Sequence, residues 1–302
     1  MQNNNLTHPR LQHWQSLGSM QKLNGHNIFV INQTHPDENK PTILLIHGFP
    51  TSTFDFIDVW NELSEHYSLI CLDMLGFGFS DKPNKRNYTI NKQADLFESL
   101  IIQLKLDEYH ILCHDYGVSV AQELLSRQRE NESKGISCLS CCFLNGGLFP
   151  ETHQALLIQK LMLSPLGKII NKLTGIKLFS RSFSTVFGPA TKPSNEQLSE
   201  FWELINYNDG RHLFHNLITY INDRSEHRNR WVQALQYSTV PLSLINGSVD
   251  PVSGQHLVKR YNELACRLDH LMELENIGHY PHIEAAEKVV TGYLYFINKL
   301  QS

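Results

Sequence analysis

The chain has 302 residues, of which 41% are hydrophobic and 19% charged, a composition typical of a globular enzyme with one large or two ordinary domains. Its formal net charge of −4 gives no case for nucleic acid or an anionic membrane as a partner. Six cysteines are too few for a disulfide scaffold, so we expect buried, unpaired thiols and a reducing compartment. The polar N-terminus has no signal-peptide pattern, and no apolar run reaches the ~18 residues of a spanning helix. We therefore expect a cytoplasmic protein.

The first part of the chain alternates predicted strands with predicted helices. Asn24-Gly25 lies between two apolar runs and is a strong hairpin signal. The continuous apolar run 42–46 is typical of a strand buried on both faces, and it ends at His47-Gly48-Phe49-Pro50. A strand over 68–73 and an amphipathic helix over 91–104 follow.

The segment 109–125 combines a buried strand, a sharp turn and a helix. Its apolar run ends at Cys113, and helical periodicity begins just after Gly117. Asp115 lies on the turn between these two small residues. Small flanking residues let the strand and helix backbones approach closely, which pushes one side chain outward, as a nucleophile requires.

An aspartate in this position selects a particular chemistry. A carboxylate is ionised at neutral pH, since its ordinary pKa is about 3.9, and it needs no base to attack. Attack on an acyl carbon would give an unstable anhydride, whereas attack on a saturated carbon with a leaving group gives an alkyl ester. A water molecule activated by histidine can hydrolyse that ester. Asp115 therefore points to epoxide or carbon–halogen substrates, and the alternative is that it only caps the helix.

Strand–helix alternation stops after a predicted strand over 140–145. The pattern is helical and irregular over 149–230, and alternation resumes with a strand over 240–246. We predict an α/β fold in which a mostly parallel sheet with helices on both faces is interrupted by a helical cap. The predicted domains are a first core part over 1–148, the cap over 149–230, and a second core part over 231–302.

Functional groups of an open α/β sheet gather at the carboxyl ends of its strands. Asp250 follows the first strand after the insertion, and His279 follows the last predicted strand. The order predicts a triad of Asp115, Asp250 and His279, in which His279 activates water and Asp250 fixes its tautomer. His282 is a rival base, and we prefer His279 because it directly follows a glycine.

The backbone beside the nucleophile predicts an oxyanion hole. Phe49 follows the His-Gly pair at the end of one strand, and Tyr116 comes directly after Asp115. Their N–H groups can stabilise the charge on the Asp115 carboxyl while water attacks the ester.

These motifs resemble the α/β-hydrolase superfamily, in its epoxide-hydrolase and haloalkane-dehalogenase branch. The resemblance rests on His47-Gly48-Phe49-Pro50, His114-Asp115-Tyr116-Gly117 and Gly278-His279. It covers the whole core and implies an α/β-hydrolase fold with an inserted helical cap. Three more segments resemble the mesoderm-specific transcript family, an animal group of this branch. They are residues 73–83, 145–153 and 208–210.

The resemblance also bears on the leaving group. Dehalogenases of the branch hold the halide with side-chain N–H groups, and the corresponding residues here, Tyr116 and Phe49, offer none. Epoxide hydrolases protonate the leaving oxygen with tyrosines of the cap, and Tyr220 lies about where one is expected. An epoxide is therefore favoured, although Tyr220 could equally be a core aromatic residue.

Three hypotheses remain from the sequence. The first is hydrolysis at a saturated carbon of a small apolar organic substrate by Asp115 and water, with a halide as the alternative to an epoxide. The second is a serine esterase, because residues 117–121 fit a Gly-x-Ser-x-small pattern around Ser119. The third is a non-catalytic binding protein on the same scaffold. Gly76-Phe77-Gly78 lacks the rest of a dinucleotide fingerprint, and we expect no cofactor and no metal. The oligomeric state is left open.

Overall fold

An eight-stranded sheet organises the computed structural model, which describes residues 6–84, 88–130, 136–154, 157–164 and 167–301. The strands, in chain order, are β1 Ser19–Leu23, β2 His26–Gln33, β3 Thr42–Ile46, β4 Ser68–Leu72, β5 Glu108–Cys113, β6 Ser137–Phe143, β7 Leu242–Gly247 and β8 His270–Leu274.

The sheet has the order β1-β2-β4-β3-β5-β6-β7-β8. The first two pairings, β1 with β2 and β2 with β4, are antiparallel, and all the others are parallel. The hairpin turns at Asn24 and Gly25, whose φ angles of 47° and 82° are both positive, as a tight two-residue turn requires. The predicted mostly parallel α/β fold is confirmed, with the hairpin forming one edge.

Helices cover both faces of the sheet. The described α-helices are α1 Pro9–Ser16, α2 Ile57–Ser64, α3 Ile90–Leu104, α4 Tyr116–Arg129, α5 Leu157–Leu163, α6 Gly167–Leu173, α7 Ile176–Phe183, α8 Asn195–Asn206, α9 Phe214–Leu217, α10 Tyr220–Glu226, α11 Arg228–Gln236, α12 Gln255–Glu263, α13 Pro281–Glu284 and α14 Ala286–Gln301. The start of α3 is fixed by Thr89, whose hydroxyl accepts from the N–H of Lys92, and the helix ends at Lys105 in a left-handed conformation.

The central strands are buried along their whole length. Every residue of β4 is buried, as are four of the five residues of β3, because helices cover the sheet from both sides. The six cysteines are also buried and unpaired, in agreement with the sequence analysis. Among the described residues, no helix combines the length and the apolar character needed to cross a bilayer.

Among the described residues, seven α-helices, α5 to α11, lie between β6 and β7. The last of them, α11, packs on the core helix α4: the indole of Trp231 donates to Glu123 at 2.8 Å, and Arg230 pairs with the same carboxylate. The predicted domain boundary at residue 230 therefore falls inside a helix that contacts the core.

Candidate active site

Asp115 lies on the turn between β5 and α4, in a backbone conformation that an L-residue rarely adopts. Its φ is 45° and its ψ is −105°. Such a conformation costs free energy and persists only where the surroundings enforce it. Glycines provide the space: a Cβ on Gly117 would lie 2.3 Å from the carbonyl oxygen of Ile46, and one on Gly146 would lie 2.9 Å from the Cα of Asp115. The turn is thus a tight elbow that presents the Asp115 side chain.

The two carboxylate oxygens of Asp115 have different neighbours. The N–H of Phe49 donates to Oδ2 at 3.0 Å. Oδ1 lies 3.7 Å from Nε2 of His279 and 3.7 Å from Nη2 of Arg224. Although burial favours the protonated acid, His279 and Arg224 hold the pKa of Asp115 below its ordinary value. The carboxylate is therefore buried, ionised and flanked by cationic groups.

His279 is held by Asp250. Nδ1 of His279 donates to Oδ2 of Asp250, with the two atoms 2.6 Å apart. Oδ1 of Asp250 accepts from the N–H of Val252 at 2.7 Å. Burial lowers the pKa of His279, but the charges of Asp250 and Asp115 outweigh it and raise this pKa to about 10. The imidazole is thus a cation between two carboxylates, with Nε2 directed to the elbow.

Phe49 and Tyr116 are the two residues whose N–H groups we predicted to form the oxyanion hole. The N–H of Phe49 is already engaged with Asp115, as the 3.0 Å bond shows. Tyr116 begins α4, so its N–H belongs to the first turn, whose donors have no acceptor within the helix. The ring of Tyr116 packs against Phe77 and Tyr220, with centroids 5.6 and 4.7 Å away.

Asn145, two residues after β6, joins the turn that carries Asp115 to the loop that carries Asp250, and we did not predict these contacts. Its carbonyl accepts from the N–H of Asp115 at 2.8 Å. Its side-chain amide donates to Oδ2 of Asp250 at 2.9 Å and accepts from the N–H of Gly247 at 2.6 Å. In the sequence, the sign of this arrangement was that Asn145 is a polar residue at the end of a predicted strand.

Arg224 of α10 reaches beneath the elbow, and we did not predict this either. Its guanidinium is buried and donates to the carbonyl of Asp115 at 3.0 Å and to the hydroxyl of Ser119 at 2.8 Å. The group also lies 4.6 Å above the ring of Tyr220. Space for it comes from Gly147, where a Cβ would lie 2.2 Å from Nη1. The Gly146-Gly147 pair was the only sequence signal for this arrangement.

The rival base, His282, lies in a separate buried cluster with Asp55 and His114. The ligand-type atoms of the three residues lie within 4.8 Å of one another, so they could hold a metal ion. His114 also contacts His279, because its Nε2 lies 2.8 Å from the carbonyl oxygen of that residue. Burial and the neighbouring histidines lower the pKa of His282 well below its ordinary value. No described contact links His282 to Asp115.

Tyr220 is fully buried beside the elbow. Its ring contacts Phe49 at a centroid distance of 5.9 Å, and its hydroxyl has no hydrogen-bond partner among the described residues. Burial, followed by the Asp115 charge, raises the pKa of Tyr220. Tyr280 is the aromatic neighbour of His279, and its hydroxyl donates to the carbonyl of Phe49 at 3.5 Å.

An apolar cavity of about 90 Å³ lies above Asp115 and His279. Its walls come from the turn after β3 and from the helices between β6 and β7. The apolar lining includes Phe49, Met162, Phe179, Phe183, Phe214 and Tyr280. A small apolar molecule in the cavity would contact both the carboxylate and the imidazole.

Comparison with known proteins identifies the family of the chain. Residues 41–155 match the model of the α/β-hydrolase fold family. The human mesoderm-specific transcript homolog protein is 39% identical over 296 residues, an alignment that covers 96% of this chain and 88% of the human protein. The chain belongs to the mesoderm-specific transcript family of α/β hydrolases.

Solved structures show the same fold in other members of the superfamily. A loop variant of haloalkane dehalogenase DbeA from Bradyrhizobium elkanii superimposes with a TM-score of 0.78, at 18% identity and with 94% of this chain and 97% of that one covered. The epoxide hydrolase CorEH gives a TM-score of 0.75 at 19% identity, with 94% and 99% covered. This chain thus shares its fold with a haloalkane dehalogenase and an epoxide hydrolase.

Proposed function

We propose that the protein hydrolyses a small apolar substrate at a saturated carbon through an ester on Asp115, and that the substrate is an epoxide. One observation carries this proposal. The Asp115 carboxylate has one oxygen bonded to the N–H of Phe49 and the other 3.7 Å from the imidazole of His279, which Asp250 holds in turn.

In the first step, Oδ1 of Asp115 attacks the carbon and the bond from carbon to the leaving oxygen breaks. The carboxylate is ionised, so no base is needed. Oδ2, bonded to the Phe49 N–H, becomes the carbonyl oxygen of the ester. It stays in the oxyanion hole that Phe49 and Tyr116 form, where it gains negative charge in the second step.

In the second step, neutral His279 takes a proton from water, and the water oxygen attacks the carbonyl carbon of the ester. When the tetrahedral intermediate collapses, the bond from this carbon to the alcohol oxygen breaks, and the imidazolium gives its proton to that oxygen, which releases the product alcohol. The second proton of the water leaves with the Asp115 carboxyl and returns to the group that protonated the leaving oxygen in the first step. Esterification removes the negative charge next to His279. The pKa of His279 then falls toward the ordinary range, which favours the neutral imidazole that a general base must be. Asp250 keeps the tautomer and stabilises the imidazolium that forms.

An epoxide needs a proton on its leaving oxygen, and we propose Tyr220 as the donor. The Tyr220 hydroxyl is buried, and the Arg224 guanidinium over its ring lowers the pKa that burial and Asp115 raise, so this cation would stabilise the tyrosinate left after proton transfer. The Tyr220 ring contacts Phe49, which lines the cavity. A halide would need an N–H donor instead, and the side chains of Phe49 and Tyr116 provide none.

We also propose that residues 149–230 act as a cap. Gln159, Met162, Phe179, Phe183 and Phe214 belong to this insertion and line the cavity. Except for Gln159 these residues are apolar, which favours a substrate without charge.

The serine-esterase alternative is weakened by the position of Ser119. This residue lies within α4, is fully buried, and has its hydroxyl bonded to Arg224. A purely binding protein would have no use for a histidine directed at a buried carboxylate.

Replacement of His279 by Gln tests the proposal. The substitution should lower turnover by roughly 10²–10⁴-fold, because the general base is lost, while alkylation of Asp115 proceeds. Mass spectrometry after a single turnover should then show a stable adduct on the peptide that contains Asp115. An epoxide adds its whole mass, whereas an alkyl halide adds only the alkyl group, so the mass identifies the leaving group.

His282→Gln is the matched control and should trap no adduct. An adduct with His282→Gln alone would make His282 the base. Hydrolysis of a simple ester by Asp115→Asn, with no adduct in any variant, would contradict the aspartate mechanism.

Replacement of Tyr220 by Phe tests the proton donor. With an epoxide we expect adduct formation to slow by about 10²-fold or more, since a poor alkoxide leaving group needs a proton. With an alkyl halide the rate should hardly change. Tyr280→Phe is the control for loss of a nearby hydroxyl. If it slowed the epoxide reaction and Tyr220→Phe did not, Tyr220 would be only a packing residue. Rapid-quench kinetics of the adduct distinguish these results.

A further inference from the structure

The first three helices of the insertion carry a group of exposed apolar side chains, which we call the α5–α7 face. Its members are 41% to 73% exposed and lie within 22 residues of one another. They are Leu157, Leu161, Ile169, Ile176 and Leu178. Single exposed apolar residues are common on protein surfaces, but these five lie on three consecutive short helices, of which α5 and α7 line one cavity, and several exposed apolar side chains on neighbouring helices are a feature of interaction sites.

The same segment has a charge opposite to that of the rest of the chain. Between Glu151 and Glu196 the sequence contains six basic residues and no acidic one, which leaves −10 on the remainder. Four of the six, Lys160, Lys168, Lys177 and Arg181, are exposed on α5, α6 and α7. Asp209 lines a surface depression with Lys168, but Arg211 and His212 line it too. The α5–α7 face is therefore both apolar and cationic.

This face is continuous with the active-site cavity. Gln159 and Met162 of α5 and Phe179 and Phe183 of α7 line the cavity. Leu178 also lines it while being 45% exposed. A molecule that enters beside Leu178 therefore comes from the α5–α7 face.

We propose that the α5–α7 face docks on the surface of an anionic lipid bilayer. Leucine and isoleucine side chains next to lysine and arginine are the combination that holds helices in a membrane interface. Anionic headgroups attract the basic residues, and the apolar side chains enter the acyl region. Each helix has only seven or eight residues, so the contact lies in the interface plane. A second copy of the chain fits less well, because two such faces would repel each other.

If the proposed function holds, this docking also identifies the source of the substrate. An apolar epoxide partitions into a bilayer, and the cavity mouth at Leu178 would face that phase. The substrate would then pass from lipid to Asp115 without crossing water.

Binding to vesicles tests the docking without any catalytic step. The full chain is sedimented with vesicles of phosphatidylcholine alone or of phosphatidylcholine with phosphatidylserine. We expect at least tenfold tighter binding to the anionic vesicles, weakened by salt. Each basic residue near an anionic surface accounts for about a fivefold change in affinity. Lys160→Glu/Lys168→Glu/Lys177→Glu should therefore lose at least tenfold on anionic vesicles.

Matched variants separate this face from the rest of the surface. Leu157→Ser/Ile169→Ser/Ile176→Ser should also lose binding, while Lys259→Glu/Lys288→Glu and Ile102→Ser, which change exposed residues elsewhere, should not. Binding of the wild type to neither vesicle, or equal losses in test and control variants, would overturn the proposal. So would concentration-dependent dimerisation that the serine variant abolishes while vesicle binding is unchanged. Because no turnover is measured, failure here is distinct from failure of the proposed chemistry.

Discussion

At the scale of single residues, the site is defined by charges that face one another without solvent. Asp115, Asp250 and His279 are all buried, and Arg224 adds a second cation next to Asp115. Burial alone would favour the neutral forms of Asp115, Asp250 and His279, but their mutual contacts favour the charged forms. A change in the charge of one of these residues should therefore shift the pKa of its neighbours.

The pKa of His279 is the most direct consequence. It is raised to about 10 by Asp250 and Asp115, so the folded state binds a proton that the unfolded chain has lost above its ordinary pKa of ~6.5. This stabilisation is fully present below pH ~6.5 and is lost as the pH rises through 10, with a slope of at most about 1.4 kcal/mol per pH unit. Asp115→Asn removes one of the two charges and should lower the pKa of His279. NMR titration of the histidine ring would show it, and an unchanged titration would contradict the proposed coupling.

At the scale of the elements, the elbow depends on glycines that admit neighbouring groups. Gly147 leaves room for Arg224, which donates to the carbonyl of Asp115 and to Ser119. The guanidinium thus fixes the turn between β5 and α4 from below, and no other cation type could make both bonds from one planar group.

Two substitutions should therefore have the same effect. Arg224→Lys and Gly147→Ala should each lower the rate of Asp115 alkylation by roughly 10–100-fold, because small displacements of a nucleophile are costly. Gly175→Ala is the control, since a Cβ there meets nothing within 4 Å. Pre-steady-state kinetics measure the alkylation rate. A fall in the pKa of His279 would show that the Asp115 carboxylate has moved away from the imidazole. If the lysine variant kept the wild-type rate, Arg224 would serve the fold alone.

Much of the core was predictable because its signals are local. Continuous apolar runs identified the buried strands, Asn24-Gly25 identified the hairpin, and small residues around Asp115 identified the elbow. Arg224 was not predictable, because an arginine in a polar helical stretch looks like a surface residue until its partners are known. The packing of α11 on the core was not predicted for a similar reason. Trp231 and its hydrogen-bond partner Glu123 are 108 residues apart in the sequence, so no local pattern connects them.

At the scale of the whole molecule, the distribution of charge matters more than its sum. The net charge of −4 suggested no anionic partner, but it averages a basic insertion with an acidic remainder. Both proposals involve the insertion, because it lines the cavity and also carries the α5–α7 face. A substrate dissolved in lipid would be consistent with both the proposed hydrolysis and the proposed docking.

The central claim is that the oxygen of Asp115 attacks the substrate carbon. A single turnover in ¹⁸O-labelled water, with enzyme in excess over an epoxide, tests it most directly. We expect an unlabelled product in the first turnover and one labelled oxygen in the Asp115 carboxylate, as read by mass spectrometry of the product and of the peptide. A labelled product together with an unlabelled Asp115 would mean that water attacks the substrate directly, and would contradict the account.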